Sequence, residues 1–166
     1  MTAEQIRQLL GLVPLEAEGG DFAETYRATD VFPGGLTAGA WPDGRPLATA
    51  IYYLLTPGTF SAVHRLRSDE MFHFYLGDPV EMLQLDPAGE GRVVVLGTDL
   101  AAGQRPQILV PRGMWQGTRL LPGGGVALLG TTMSPGFDLR DFELGSRDTL
   151  MSRYPAHAER ILALTR

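Results

Sequence analysis

The chain has no cysteine in its 166 residues, which excludes a disulfide framework, a thiolate metal site and a cysteine nucleophile. Basic residues are few: 14 Lys and Arg stand against 19 Asp and Glu, a formal charge of −5. No stretch gathers the cations that track a phosphate backbone, so nucleic acid is not an expected partner. Long apolar runs are missing too, since nowhere do the ~18 apolar residues of a membrane span occur together. Met1-Thr2-Ala3-Glu4-Gln5 lacks the basic flank and apolar run of a secretory signal. The expectation is a cytoplasmic protein with no membrane partner.

What is present is enough to build one core: 44% of residues are apolar, and the length suits one domain over residues 1–166. The 21 Gly and 12 Pro are spread between short apolar runs, the punctuation of many strands and turns. Thr2 with Gln5 resembles a capping box, so residues Thr2 to Leu10 read as a helix with Ile6, Leu9 and Leu10 on one face and Gly11 at its end. Strands are expected at Glu24 to Ala28, Leu36 to Trp41, Thr49 to Leu55, Gly58 to Leu66, Glu70 to Leu76 and Val80 to Leu85. Four more follow at Val93 to Gly97, Gln107 to Val110, Trp115 to Leu120 and Val126 to Thr132. Turns such as Pro42-Asp43-Gly44 and Gly77-Asp78-Pro79 separate them. The spacing predicts an all-β sandwich or barrel. Beyond Pro135, Phe137, Leu139 and Phe142 are placed to cover the barrel, and Ser146 to Arg153 and Pro155 to Leu164 read as short helices.

The chemistry is concentrated in the segment from Gly58 to Gly77, which reads as strand, turn, strand. Period-two alternation from an inward His64 places Phe60, Ala62 and Leu66 inside and Ser61, Val63 and Arg65 outside. An inward Glu70 brings Phe72 and Phe74 with it and sends His73 to the opposite face. A histidine and a carboxylate then meet inside an aromatic and aliphatic wall, where a buried carboxylate is costly unless paired. Gln107 and Thr118 have the strand position and polarity to line the same cavity, while Trp115, next to an inward Gln116, faces out against a subunit or a covering segment.

The residues Gly58, His64, Glu70 and Gly77 resemble the first motif of the cupin superfamily, and Pro111-Arg112-Gly113-Met114-Trp115-Gln116 resembles the second. More closely the chain is similar to cupin family five. That likeness runs from Glu18-Gly19-Gly20-Asp21 through Ser68-Asp69-Glu70, Gly103-Gln104-Arg105-Pro106-Gln107 and Trp115-Gln116 to Leu129-Gly130-Thr131-Thr132. The resemblance implies a double-stranded β-helix, the cupin or jelly-roll barrel, with homodimers as its commonest assembly. It also lifts Glu24, Tyr26 and Arg27 from solvated strand residues to ligand contacts.

Metal-binding cupins usually supply three histidines and a glutamate. The matching positions here are His64, Leu66, Glu70 and Gln116, and Leu66 has no lone pair to give while an amide oxygen is a poorer ligand than imidazole. No tightly bound cofactor is therefore expected; a divalent metal, if held, would use His64, Glu70 and Gln116. Without a metal, His64 and Glu70 form an acid/base pair suited to proton transfer. By resemblance to metal-free epimerases of this superfamily, the expected reaction is isomerisation or epimerisation of a sugar-like or carbonyl-bearing metabolite. A non-catalytic small-molecule binder or sensor and a weakly metal-dependent oxygenase or lyase are the alternatives.

Overall fold

A computed structural model describes residues 1–34 and 41–166. The strand expected at Leu36 to Trp41 lies, apart from Trp41, outside the described residues. The chain opens with helix α1 (Ala3–Leu10), capped as its sequence requires: Gln5 N–H donates to the Thr2 hydroxyl, Thr2 N–H donates to the Gln5 side chain, and Gly11 closes the helix at φ 63°. Strands follow at β1 (Val13–Pro14), β2 (Asp21–Arg27), β3 (Val31–Phe32), β4 (Arg45–Pro46), β5 (Thr49–Leu55), β6 (Ser61–Arg65) and β7 (Glu70–Gly77). The series continues with β8 (Val80–Leu85), β9 (Gly91–Leu96), β10 (Gln107–Val110), β11 (Trp115–Leu120), β12 (Ala127–Met133) and β13 (Glu143–Leu144). Helices α2 (Arg147–Arg153) and α3 (Ala158–Ala163) end the chain.

The strands form two facing sheets, ordered β1-β2-β5-β12-β7-β10 and β13-β6-β11-β8-β9, with β3 and β4 as a separate pair. Every pairing within these sheets is antiparallel. This is the jelly-roll sandwich that the motifs imply. Strands β5, β8, β10 and β11 match their expected limits, and the short β1, β3, β4 and β13 carry too little alternation to be read from sequence.

Apolar residues settle in three layers. Between the sheets lie Tyr53, Leu55, Phe72, Val80, Met82 and Leu129. Outside the five-stranded sheet, Val63, Leu83, Leu85 and Trp115 pack under Leu150, Tyr154, Ile161 and Leu164 of the C-terminal helices. Outside the six-stranded sheet, Ile6 and Leu12 cover Leu54 and Leu128. Trp115 thus faces out of the barrel, and its cover is the C-terminal tail. Among the described residues no helix is long and apolar enough to cross a membrane.

The segment between β12 and β13 is tied over one end of the barrel. Arg45 donates from Nε and Nη2 to the two Asp141 oxygens at 2.7 and 2.8 Å, with both side chains almost wholly buried. Phe137 N–H donates to Thr49 Oγ1 at 2.9 Å, and Gly136 N–H to Pro46 O at 2.7 Å. Arg65 and Glu143 make a second bidentate pair in solvent. Removing one partner of a buried pair strands a charge, so Asp141→Ala is expected to cost about 3–5 kcal/mol. Glu143→Ala, which breaks an exposed pair, is expected to cost under ~1 kcal/mol. Denaturant unfolding of both variants checks this ordering, and equal losses would contradict it.

Candidate functional site

Below the covering segment is a cavity of about 130 Å3, its walls mostly apolar. Glu70 opens into it from the first residue of β7, and Leu66, Thr131, Glu18 and Phe142 are among its neighbours on the wall. The pairing of β11 with β6 sets Gln116 opposite His64. Gln116 Nε2 donates to Glu70 Oε2 at 2.5 Å and sits 3.3 Å from His64 Nε2. His64 Nδ1 is 2.8 Å from Ala62 O. A carbonyl only accepts, so the imidazole proton is on Nδ1 and the Nε2 lone pair accepts from the Gln116 amide. The three residues singled out from sequence spacing therefore form one buried chain, Glu70–Gln116–His64, each at most 7% exposed.

Glu70 is pushed above the ordinary carboxylate range, chiefly by burial and then by the charge of Glu18; hydrogen bonds from Gln116 and Thr131 pull the other way. His64 is less available than its sequence position implies. Phe142 stacks on it, ring centroids 5.0 Å apart, and both ring nitrogens are engaged inside the protein. It does not form part of the cavity wall.

The remaining candidates divide by location. Glu24 lines the rim and pairs with Arg27 at 2.6 Å; Arg27 Nη1 also donates to Phe137 O at 3.2 Å, while Tyr26 is exposed. Phe72 and Phe74 do face inward, yet they fill the core between the sheets and leave the cavity wall to other residues. Thr118 is also buried away from the cavity, with no partner for its hydroxyl.

Two expectations are corrected. A bulge between β6 and β11, where the register shifts between Gln116 and Thr118, reverses the alternation upstream of His64. Ser61 Oγ consequently donates to Glu18 Oε1 at 2.5 Å, and Phe60 packs in the layer beneath the C-terminal helices. Gln107 lies on the exposed face of the edge strand β10, whose inward residues are Ile108 and Val110; there it joins His73, whose Nε2 meets Thr132 Oγ1 at 3.0 Å. Burial holds His73 below the usual histidine range, on the outer face that alternation assigns it.

Glu18, Ser61, Thr131 and the apolar wall of Phe22 and Ile51 belong to the site without a ligand-binding motif to mark them in the sequence. The one local signal for Glu18 was its neighbour pair Gly19-Gly20, whose φ values of 108° and 72° only glycine adopts readily.

The donor set does not fit a cupin metal centre. One NH2 group takes both the His64 Nε2 lone pair and a Glu70 oxygen, a proton donor where a cation would need lone pairs, and Leu66 fills the position of a further histidine. Among the described residues no cluster of three His, Asp or Glu side chains has metal-binding spacing.

Because Glu70 is raised in the folded state, its protonated form stabilises the protein below the ordinary carboxyl value of 4.5. That contribution is lost as pH rises through the folded value. Glu70→Gln, a permanently uncharged isostere, is therefore expected to gain stability relative to the parent as pH is raised above ~4.5. Denaturation midpoints at a series of pH values check this; a difference that shrinks or stays constant would contradict it.

The chain matches the family model described as cupin superfamily (DUF985) over residues 4–145. Protein SO0799 from Shewanella oneidensis has a similar solved structure, with 37% identity, 100% of this chain and 98% of that one covered, and a TM-score of 0.88. A hypothetical protein from Leishmania major is 32% identical over 99% of both chains, with a TM-score of 0.88. Oxalate decarboxylase from Bacillus subtilis shares the fold alone, at 14% identity, a TM-score of 0.52, and 89% of this chain against 35% of that one. No functionally curated protein matches. With the motif, the jelly roll and the family match in agreement, the chain belongs to cupin family five of the cupin superfamily.

Proposed function

We propose that this cupin binds a compact, carbonyl-bearing metabolite and moves a proton on it, as a metal-independent isomerase or epimerase. The observation that carries the reading is Glu70: a carboxyl on the wall of an apolar cavity, inclined by burial toward its protonated form and oriented by a 2.5 Å hydrogen bond from Gln116. A carboxyl so placed gives its proton to a substrate oxygen or takes one from carbon, and a raised pKa brings it nearer to matching such groups. His64 acts at one remove. Its Nε2 holds the Gln116 amide, which in turn fixes Glu70, so it is a positioning residue and Glu70 is the group that meets substrate. No step passes through a metal.

A second reading, a binder without turnover, draws on the size of the cavity. At about 130 Å3 it is smaller than the ~300–1,000 Å3 common for ligand pockets. That excludes a nucleotide-sugar from the enclosed space and suits a ligand of few heavy atoms.

The test is solvent-deuterium exchange at carbon in a panel of small aldehydes and ketones, followed by NMR with the parent protein in D2O. Exchange is expected with at least one compound, falling by about 100-fold or more in Glu70→Gln, the scale of general acid–base catalysis. His64→Gln is expected to lose less. Stoichiometric binding with no exchange would establish the binder instead.

A further inference from the structure

The charged residues on the cavity wall are all of one sign. Among the described residues Glu18, Glu24 and Glu70 line it and no Lys or Arg does; the sequence of residues 35–40 contains neither cation. Glu24 is neutralised by Arg27, which also spends a nitrogen on Phe137 O. Glu18 and Glu70 are left as the charged pair facing the space.

Glu18 is delivered there by a tightly fastened loop. Ala62 N–H donates to Glu18 O at 2.9 Å, and Tyr53 OH donates to Gly19 O at 2.8 Å. At Gly19 a Cβ would stand 2.3 Å from Phe60 O, so the loop fits against β6 only as glycine. Ser61 holds Glu18 Oε1, and Oε2 lies 3.9 Å from His64 Nε2. Fastening a carboxylate beside a second, buried carboxyl works against folding electrostatics.

A carboxylate oxygen accepts hydrogen bonds, so Glu18 asks for a donor on the ligand. Glu70, the proton-transfer group of the reading above, asks for a carbonyl beside it, and the apolar walls favour a short hydrocarbon body next to both. An anion meets the Glu18 charge with no cation on the wall to offset it.

We infer that the ligand is a compact, uncharged α-hydroxycarbonyl compound, its hydroxyl donating to Glu18 and its carbonyl set beside Glu70, and that carboxylate or phosphate compounds are rejected. The carbonyl beside Glu70 rests on the proton-transfer reading above; the charge preference rests on Glu18 and the absence of a cation among the described wall residues.

Hydroxyacetone and lactate, close in size and differing in charge, test the inference. Both are titrated into the full chain at neutral pH, with affinity read from NMR chemical-shift changes and exchange at carbon read in D2O from the same samples. Hydroxyacetone is expected to bind at least about tenfold more tightly than lactate, and Glu18→Gln to weaken it by about tenfold, the scale of one hydrogen bond to a charged group. Ser61→Ala, which loosens Glu18 without removing it, is expected to weaken binding in the same direction. No binding of hydroxyacetone, equal binding of lactate, or unchanged affinity in a folded Glu18→Gln would each overturn the inference. Binding with the expected selectivity but without exchange supports the ligand class and sinks the proton-transfer reading. Exchange accompanied by equal lactate binding does the reverse.

Discussion

A carboxyl group cannot be carried into an apolar barrel without hydrogen bonds to hold it, and at Glu70 the holding group is the side-chain amide of Gln116. Much of the site follows from that contact. Gln116 reaches Glu70 because β11 pairs with β6 on one side and β8 on the other, at the centre of a sheet where a side chain is fixed by its neighbours. Its nitrogen also meets His64, so one amide aligns a carboxyl and an imidazole that come from different strands. The same contact explains the departure from a metal-binding cupin: the amide supplies protons at the point where lone pairs would have to converge.

The cavity depends on charges that lie outside it. Asp141 and Arg45 anchor the covering segment from within the protein, and Phe142, next to Asp141, then stacks on His64. Two residues earlier than Leu139, Phe137 is held by Thr49 and by Arg27, so the rim pair Arg27–Glu24 is tied to the cover as well as to the wall. The lower wall is fixed by the Glu18 loop. The polar centre, the cover and the loop are thus separate devices that enclose one small space.

Glu70, His64 and Gln116 were legible in the sequence because motif spacing fixes strand and turn lengths, and these fix which strands face each other. The inward set of β7 followed from alternation alone. Phe60 and Ser61 were misplaced because a bulge costs one residue of register and has no local signature in Gly58-Thr59-Phe60-Ser61. For Gln107 the sequence pattern marks the right strand and the wrong face, since its parity is set by pairing with β7 and its four-residue strand is too short to declare a buried side. Glu18 was invisible as a site residue for a different reason. It comes from a loop whose position depends on Tyr53, Phe60 and Ala62, contacts distant in sequence. Phe72 and Phe74 were rightly placed inward, yet whether an inward aromatic fills a core or walls a cavity is decided by the opposite sheet.

Whether Glu70 is a raised, cavity-facing carboxyl is read from a site-resolved 13C NMR titration of its carboxyl carbon in the full chain. The midpoint is expected above the ordinary 4.5, moving downward in Glu18→Gln, which removes a nearby negative charge, and upward in Gln116→Leu, which removes the bond that favours the ionised form. A midpoint at or below the ordinary value, with no response to Glu18→Gln, would contradict it.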